Sequence, residues 1–124
     1  MRSSAAGLSA ERFRMDVISS NIANSNSTET RETRPYRRQE VIVTATPDGP
    51  KVVEIQDDRV TPFRKIQMRG NPMADSEGNV EASNVEPILE MVNMMSASRA
   101  YEANVAAFNT AKTMAKSALS IGKV

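Results

Sequence analysis

Between Val85 and Ile121 the chain has no glycine, and its one proline there, Pro87, sits where a helix would just be starting. A proline in the first helical turn costs little, because its missing N–H would have had no partner there. Eight alanines and four methionines fill the stretch, and Gly122 with Lys123 supplies a stop and a cation for the negative end of the helix dipole. About 35 residues at 1.5 Å each make a helix roughly 50 Å long. That exceeds the width of a globule built from 124 residues. The helix must therefore run beyond any compact core the rest of the chain supplies.

Its apolar residues recur at heptad spacing: Met91, Met94, Ser98, Tyr101, Val105, Phe108, Lys112, Ala115 and Leu119, with two polar interruptions. Ile88, Met95, Ala106 and Ala118 form a second stripe, so the apolar surface is wider than one partner helix needs. A first helix is predicted over Ala5 to Ala23, where Leu8, Met15, Ile18 and Ile22 share a stripe that Glu11 interrupts. These stripes are the candidate assembly interface. The three methionines Met91, Met94 and Met95 read either as an adaptable partner-binding face or as ordinary core.

Between the helices lies a region of different character. From Asn24 to Arg34 no apolar residue appears, and short polar side chains compete for backbone hydrogen bonds, which predicts a mobile loop. Glu40 to Thr44 and Lys51 to Ile55 are β-branched runs flanking Pro47-Asp48-Gly49-Pro50, a hairpin signal. A second pairing is predicted between Phe63–Met68 and Asn79–Val80, turned at Glu77-Gly78-Asn79. The expected fold is mainly α with a small β insertion. It divides into an N-terminal helix in 1–24, a polar loop and β module in 25–83, and the long helix in 84–124. So little apolar material in the middle part predicts a module that orders only against something else, and an isolated chain that is ordered in part.

Composition closes off much chemistry. The chain has no cysteine and no histidine, which removes disulfides, thiolate nucleophiles, serine–histidine triads and zinc sites built from those ligands. Sixteen basic residues against fifteen acidic ones give a net charge of +1 spread evenly along the chain, so nothing draws a polyanion. Arg31 to Arg38 holds four arginines and Tyr36, but Glu29, Glu32 and Glu40 neutralise it, and a solvated charged loop is the better reading than a nucleic-acid contact. Asp57-Asp58 and the Asp75–Glu77 pair read as turn chemistry, since neither has the ligand pattern of a calcium loop. No catalytic residue, metal ligand or cofactor site is assigned. No apolar window approaches the roughly 20 residues of a membrane span, and the opening residues break into charge before a secretory signal could form. Residue patterns alone leave open a cytosolic helical adaptor that binds one partner helix.

Asn21, Ala23, Asn24 and Asn26 at the end of the first helix read locally as a helix cap and turn. In their setting, Ser19-Ser20-Asn21-Ile22-Ala23-Asn24-Ser25-Asn26-Ser27-Thr28, they resemble the amino-terminal signature of bacterial flagellar axial proteins. Pro35-Tyr36-Arg37-Arg38-Gln39-Glu40-Val41 follows in the family's manner, and the segment from Glu90 to Asn109 is similar to its carboxy-terminal helix. The chain thus resembles the flagellar basal-body rod family over nearly its whole length, though it looks short before Gly7-Leu8-Ser9-Ala10. The resemblance implies a structural, non-enzymatic subunit that passes unfolded through the flagellar type III export apparatus without a cleaved signal. It also implies that the terminal helices pair in a coiled-coil-like unit, and that such units pack with copies of the chain and other rod subunits into a periplasm-spanning rod that transmits torque. Neither nucleic acid nor membrane insertion is expected.

Overall fold

A computed structural model describes residues 2–123. In chain order the elements are α1 (Arg2–Ala23), β1 (Gln39–Thr46), β2 (Gly49–Asp57), β3 (Arg64–Gln67), β4 (Asn79–Ala82) and α2 (Pro87–Gly122). The fold is mainly helical with a small β insertion, as expected. At 36 residues, α2 is about 54 Å long.

The two helices pack antiparallel. Asn21 near the end of α1 bonds Glu90 near the start of α2, and Gly7 lies against Asn104. One register fits both pairs and sets Ala10 opposite Tyr101. Side chains covered along α1 are Gly7, Ala10, Val17, Ile18 and Asn21, and the covered or half-covered line along α2 runs Glu90, Met94, Ala97, Tyr101, Asn104, Phe108, Ala111. Both lines keep heptad spacing, yet each is displaced by one position from much of the stripe expected from large apolar residues. The cause is size. Close approach of two helices favours the smallest side chains at the centre, and a Cβ built on Gly7 would stand 2.6 Å from Asn104 Oδ1.

β1 and β2 form the predicted hairpin, with Thr46 opposite Gly49 across Pro47-Asp48. Gly49 is required twice: its φ is +112°, and a side chain would meet the Ser3 backbone at 3.0 Å. That contact lays the hairpin along α1, so α1 is flanked by α2 and by the hairpin. The ladder shifts between Ile42 and Val43, leaving Val53 as a bulge.

β3 and β4 pair from Arg64↔Ala82 to Gln67↔Asn79. The loop after α1 is tied to this sheet, contrary to the mobility expected of it: Thr28 bridges Ala82, Glu29 N–H donates to Glu81 O at 3.0 Å, and Ser83 N–H to Ser27 O at 2.9 Å. Arg64 clamps the same place, donating to Ser83 O and Ser25 O. Val80, Ala82 and Val85 are fully covered there, a second small core apart from the helix pair.

Candidate functional site

α1, α2 and the start of β1 meet where α1 ends and α2 begins, and the groups at that junction are polar. Asn21 is wholly buried. Its amide donates to Gln39 O at 2.9 Å and to Glu90 Oε2 at 3.4 Å. Its Oδ1 accepts from Gln39 N–H at 3.0 Å and from the Tyr36 hydroxyl at 2.9 Å. The asparagine read as a helix cap thus pins α1 to β1, to the preceding loop and to α2. Capping falls to its neighbours instead, with Asn24 Nδ2 donating to Ser20 O at 2.8 Å and Ser25 Oγ to Ile22 O at 2.8 Å. Ala23 and Asn26 are exposed.

Glu90 is the largest fully buried side chain among the described residues, and it is ionisable. Its counter-ion is Arg38 on the run into β1, which bonds it through Nε and also reaches Glu40 at 2.5 Å and Asp58 at 3.4 Å. Burial works against the Arg38 charge, but bonds to Glu90 and Glu40 outweigh it and raise the guanidinium pKa above its ordinary value. Asp58 is likewise penalised by burial. The Thr61 N–H and hydroxyl, the Val60 N–H and the Arg38 charge more than compensate, so its carboxyl sits below the usual aspartate value. Asn84 completes the knot, accepting from Arg38 N–H at 2.6 Å and donating to the carbonyls of Asp58 and Thr61. The helix expected to begin near Asn84 starts at Pro87 with Glu86 as its cap. Among the described residues no buried side-chain nitrogen or oxygen lacks a partner.

Arg38 therefore corrects the reading of its arginine-rich stretch as a solvated loop. Arg31 is exposed as expected, whereas Arg34 and Arg37 stand over the Phe63 ring at 5.6 and 4.4 Å. One signal was present in the sequence: Glu90 interrupts an apolar helix face, which is costly unless a cation meets it. Nothing in the sequence said which of sixteen bases that would be. Among the described residues no acidic cluster is arranged to hold a metal ion, and no helix is long and apolar enough to cross a membrane.

The predicted stripe residues fall into two groups. Ile18 is buried, and Leu8, Met15, Ile22, Met94, Tyr101 and Phe108 are half-covered along the helix pair. Met91, Val105, Ala115 and Leu119 are exposed. Of the three clustered methionines, Met94 turns towards α1 while Met91 and Met95 stay more than half exposed.

Two family models match this chain: "Flagella basal body rod protein" over residues 1–29 and "Flagellar basal body rod FlgEFG protein C-terminal" over residues 76–121. The matched regions meet in space where Asn21 touches Glu90. Flagellar basal-body rod protein FlgC of Escherichia coli O6:H1 is 39% identical, with 95% of this chain and 92% of the relative covered. The FlgC of Bacillus subtilis is 37% identical over 97% of this chain and 94% of its own, and that of Borreliella burgdorferi 39% over 93% and 90%. The chain belongs to the FlgC family of flagellar basal-body rod proteins. In this FlgC-family chain, Asn21 bonds within the fold's central polar junction rather than acting as a terminal cap. That junction locks the helix pair to the β module.

Proposed function

We propose that this FlgC-family chain is a structural subunit of the flagellar basal-body rod, held in the rod by the apolar helix residues its own fold leaves uncovered. The observation that carries this reading is the state of α2. Its intramolecular stripe is complete from Glu90 to Ala111, yet Met91, Val105, Ala115 and Leu119 remain exposed beside it. Burying one large apolar side chain is worth about 1.5–3 kcal/mol, so several per subunit, repeated by helical symmetry, hold an assembly under load. The predicted residues Leu8, Met15 and Ile22 on α1 are already half-covered within the subunit, so the uncovered surface is carried by α2. The polar junction fixes the angle between helix pair and β module, so torque taken up by one reaches the other. No catalytic step is assigned. The neighbours are other rod subunits, and entry by the flagellar type III export apparatus suits a chain with two small cores and little stability to lose on unfolding.

The test is complementation with Met91→Asp and with Leu119→Asp in a motile cell whose own copy is deleted. Both residues are exposed, so far-UV circular dichroism of the purified variants should match the parent. Motility should fail, and basal bodies should stop short of a complete rod. Normal swimming with both changes would remove these residues from the interface.

A further inference from the structure

The arginine-rich stretch ahead of β1 is only partly spent on the fold. Arg38 is taken up by the polar junction, whereas Arg34 and Arg37 are gathered at one aromatic ring, their Cζ atoms 5.6 and 4.4 Å from the centroid of Phe63. The backbone that carries them is fixed. Pro35 beside Arg34 is buried, and Tyr36 donates its N–H to Ser27 Oγ at 3.0 Å and its hydroxyl to Asn21 Oδ1 at 2.9 Å. A guanidinium over an aromatic face is held through its charge and keeps its N–H donors for other acceptors. Arg37 uses a donor on Asp58 O at 3.3 Å, and among the described residues neither arginine forms an ion pair.

Carboxylates stand nearby but are engaged elsewhere. Glu29, Asp75 and Glu81 line a surface hollow with Arg34 and Lys65. Glu29 Oε1 accepts the Glu81 N–H at 3.2 Å, and Asp75 Oδ1 accepts the N–H groups of Glu77 and Asn79, each at 2.9 Å. Asp57 pairs with Arg59, and Asp58 with Arg38. Two like charges are thus fixed beside one ring without a counter-ion, and an arriving anion relieves their repulsion.

We propose that Arg34, Arg37 and Phe63 form a docking site for a short acidic segment of a partner protein, one that presents two carboxylates. Each guanidinium supplies a planar N–H fork that matches a carboxylate, so two arginines on a fixed backbone take two. Glu29, Glu32, Asp75 and Glu81 around the pair repel a long polyanion, so the site selects a segment short enough to meet the arginines alone. The site uses none of the apolar residues of α2, and it stands or falls independently of them.

The test is a titration of the full-length protein with a capped Gly-Glu-Gly-Glu-Gly peptide, following the arginine Nε–H signals by NMR. The Arg34 and Arg37 signals should shift and saturate, and the peptide with glutamine in place of both glutamates should leave them still. Arg34→Gln with Arg37→Gln should weaken binding by on the order of tenfold. Phe63→Leu, which keeps both charges but removes the ring that gathers them, should weaken it by about threefold. Far-UV circular dichroism checks that each variant keeps the parent fold, and because both arginines lie outside the core the double variant decides the matter if Phe63→Leu does not fold. Unchanged affinity in the double variant would overturn the site. Inorganic phosphate or heparin moving the same two signals at equal or lower concentration than the peptide would overturn the assignment to an acidic protein segment.

Discussion

Replacing Glu90 by Leu removes a buried carboxylate from between Asn21 and Arg38, leaving an amide donor and part of a guanidinium without their acceptor. Breaking a buried pair from one side costs several kcal/mol, and with Glu40 and Asp58 still on Arg38 the loss should be about 2–3 kcal/mol. Glu90→Gln, which keeps an acceptor, should lose less, and urea unfolding of the two variants checks the order. Asp58 gives the same junction a pH dependence. Its folded pKa lies below 3.8, so the stability it contributes is complete above the ordinary aspartate range and is lost as pH falls through the lower folded value. The stability gap between the parent and Asp58→Asn should accordingly be constant from neutral pH down to about pH 5 and close below pH 4. A gap that stayed constant to pH 2 would mean the carboxylate is not what the Thr61 and Val60 donors hold.

At the level of elements, the helix pair is set by its smallest residues. Gly7→Ala would press its methyl against Asn104 Oδ1, the movable end of a side chain whose Nδ2 donates to Ala100 O. Alanine gains roughly 1 kcal/mol over glycine inside a helix, so the single change should be near neutral and Gly7→Ala with Asn104→Ala should stabilise by up to about 1 kcal/mol. Gly7→Leu should destabilise by more than 1 kcal/mol, since no neighbour can yield that much room and the helices must separate. Thermal unfolding of the three variants reads this directly. The hairpin is held more strictly, because at Gly49 the φ of +112° and the Ser3 backbone both resist a side chain.

Across the whole molecule, support for α2 is uneven. Its first six turns lie on α1, but in the observed register the residues beyond about Asn109 run past Arg2 with no element beside them among the described residues. Amide hydrogen exchange on the isolated protein should show slow exchange over 90–105 and α1, and exchange approaching that of an unfolded chain over 112–122. Uniform protection along α2 at micromolar concentration would mean self-association, which sedimentation would reveal as a mass above 13.6 kDa.

Several features were determined by sequence alone, because they depend on near neighbours in the chain. The uninterrupted run after Pro87 specified a long helix, the β-branched runs about Pro47-Asp48-Gly49-Pro50 specified a hairpin, and the absence of cysteine and histidine removed whole classes of chemistry. The resemblance to the rod family was legible in the same way, from Ser19 to Thr28 and from Glu90 to Asn109. Tertiary structure decided which residues those elements turn inward. Large apolar side chains mark the stripe most visibly, yet Gly7, Ala10 and Ala97 occupy its centre, because contact distance between helices is set by the smallest groups. It alone matched Glu90 to Arg38 across 52 positions, made Asn21 a pin rather than a cap, and tied the polar loop to β4. A buried polar group must find partners, but the sequence holds many candidates and only packing in three dimensions selects among them.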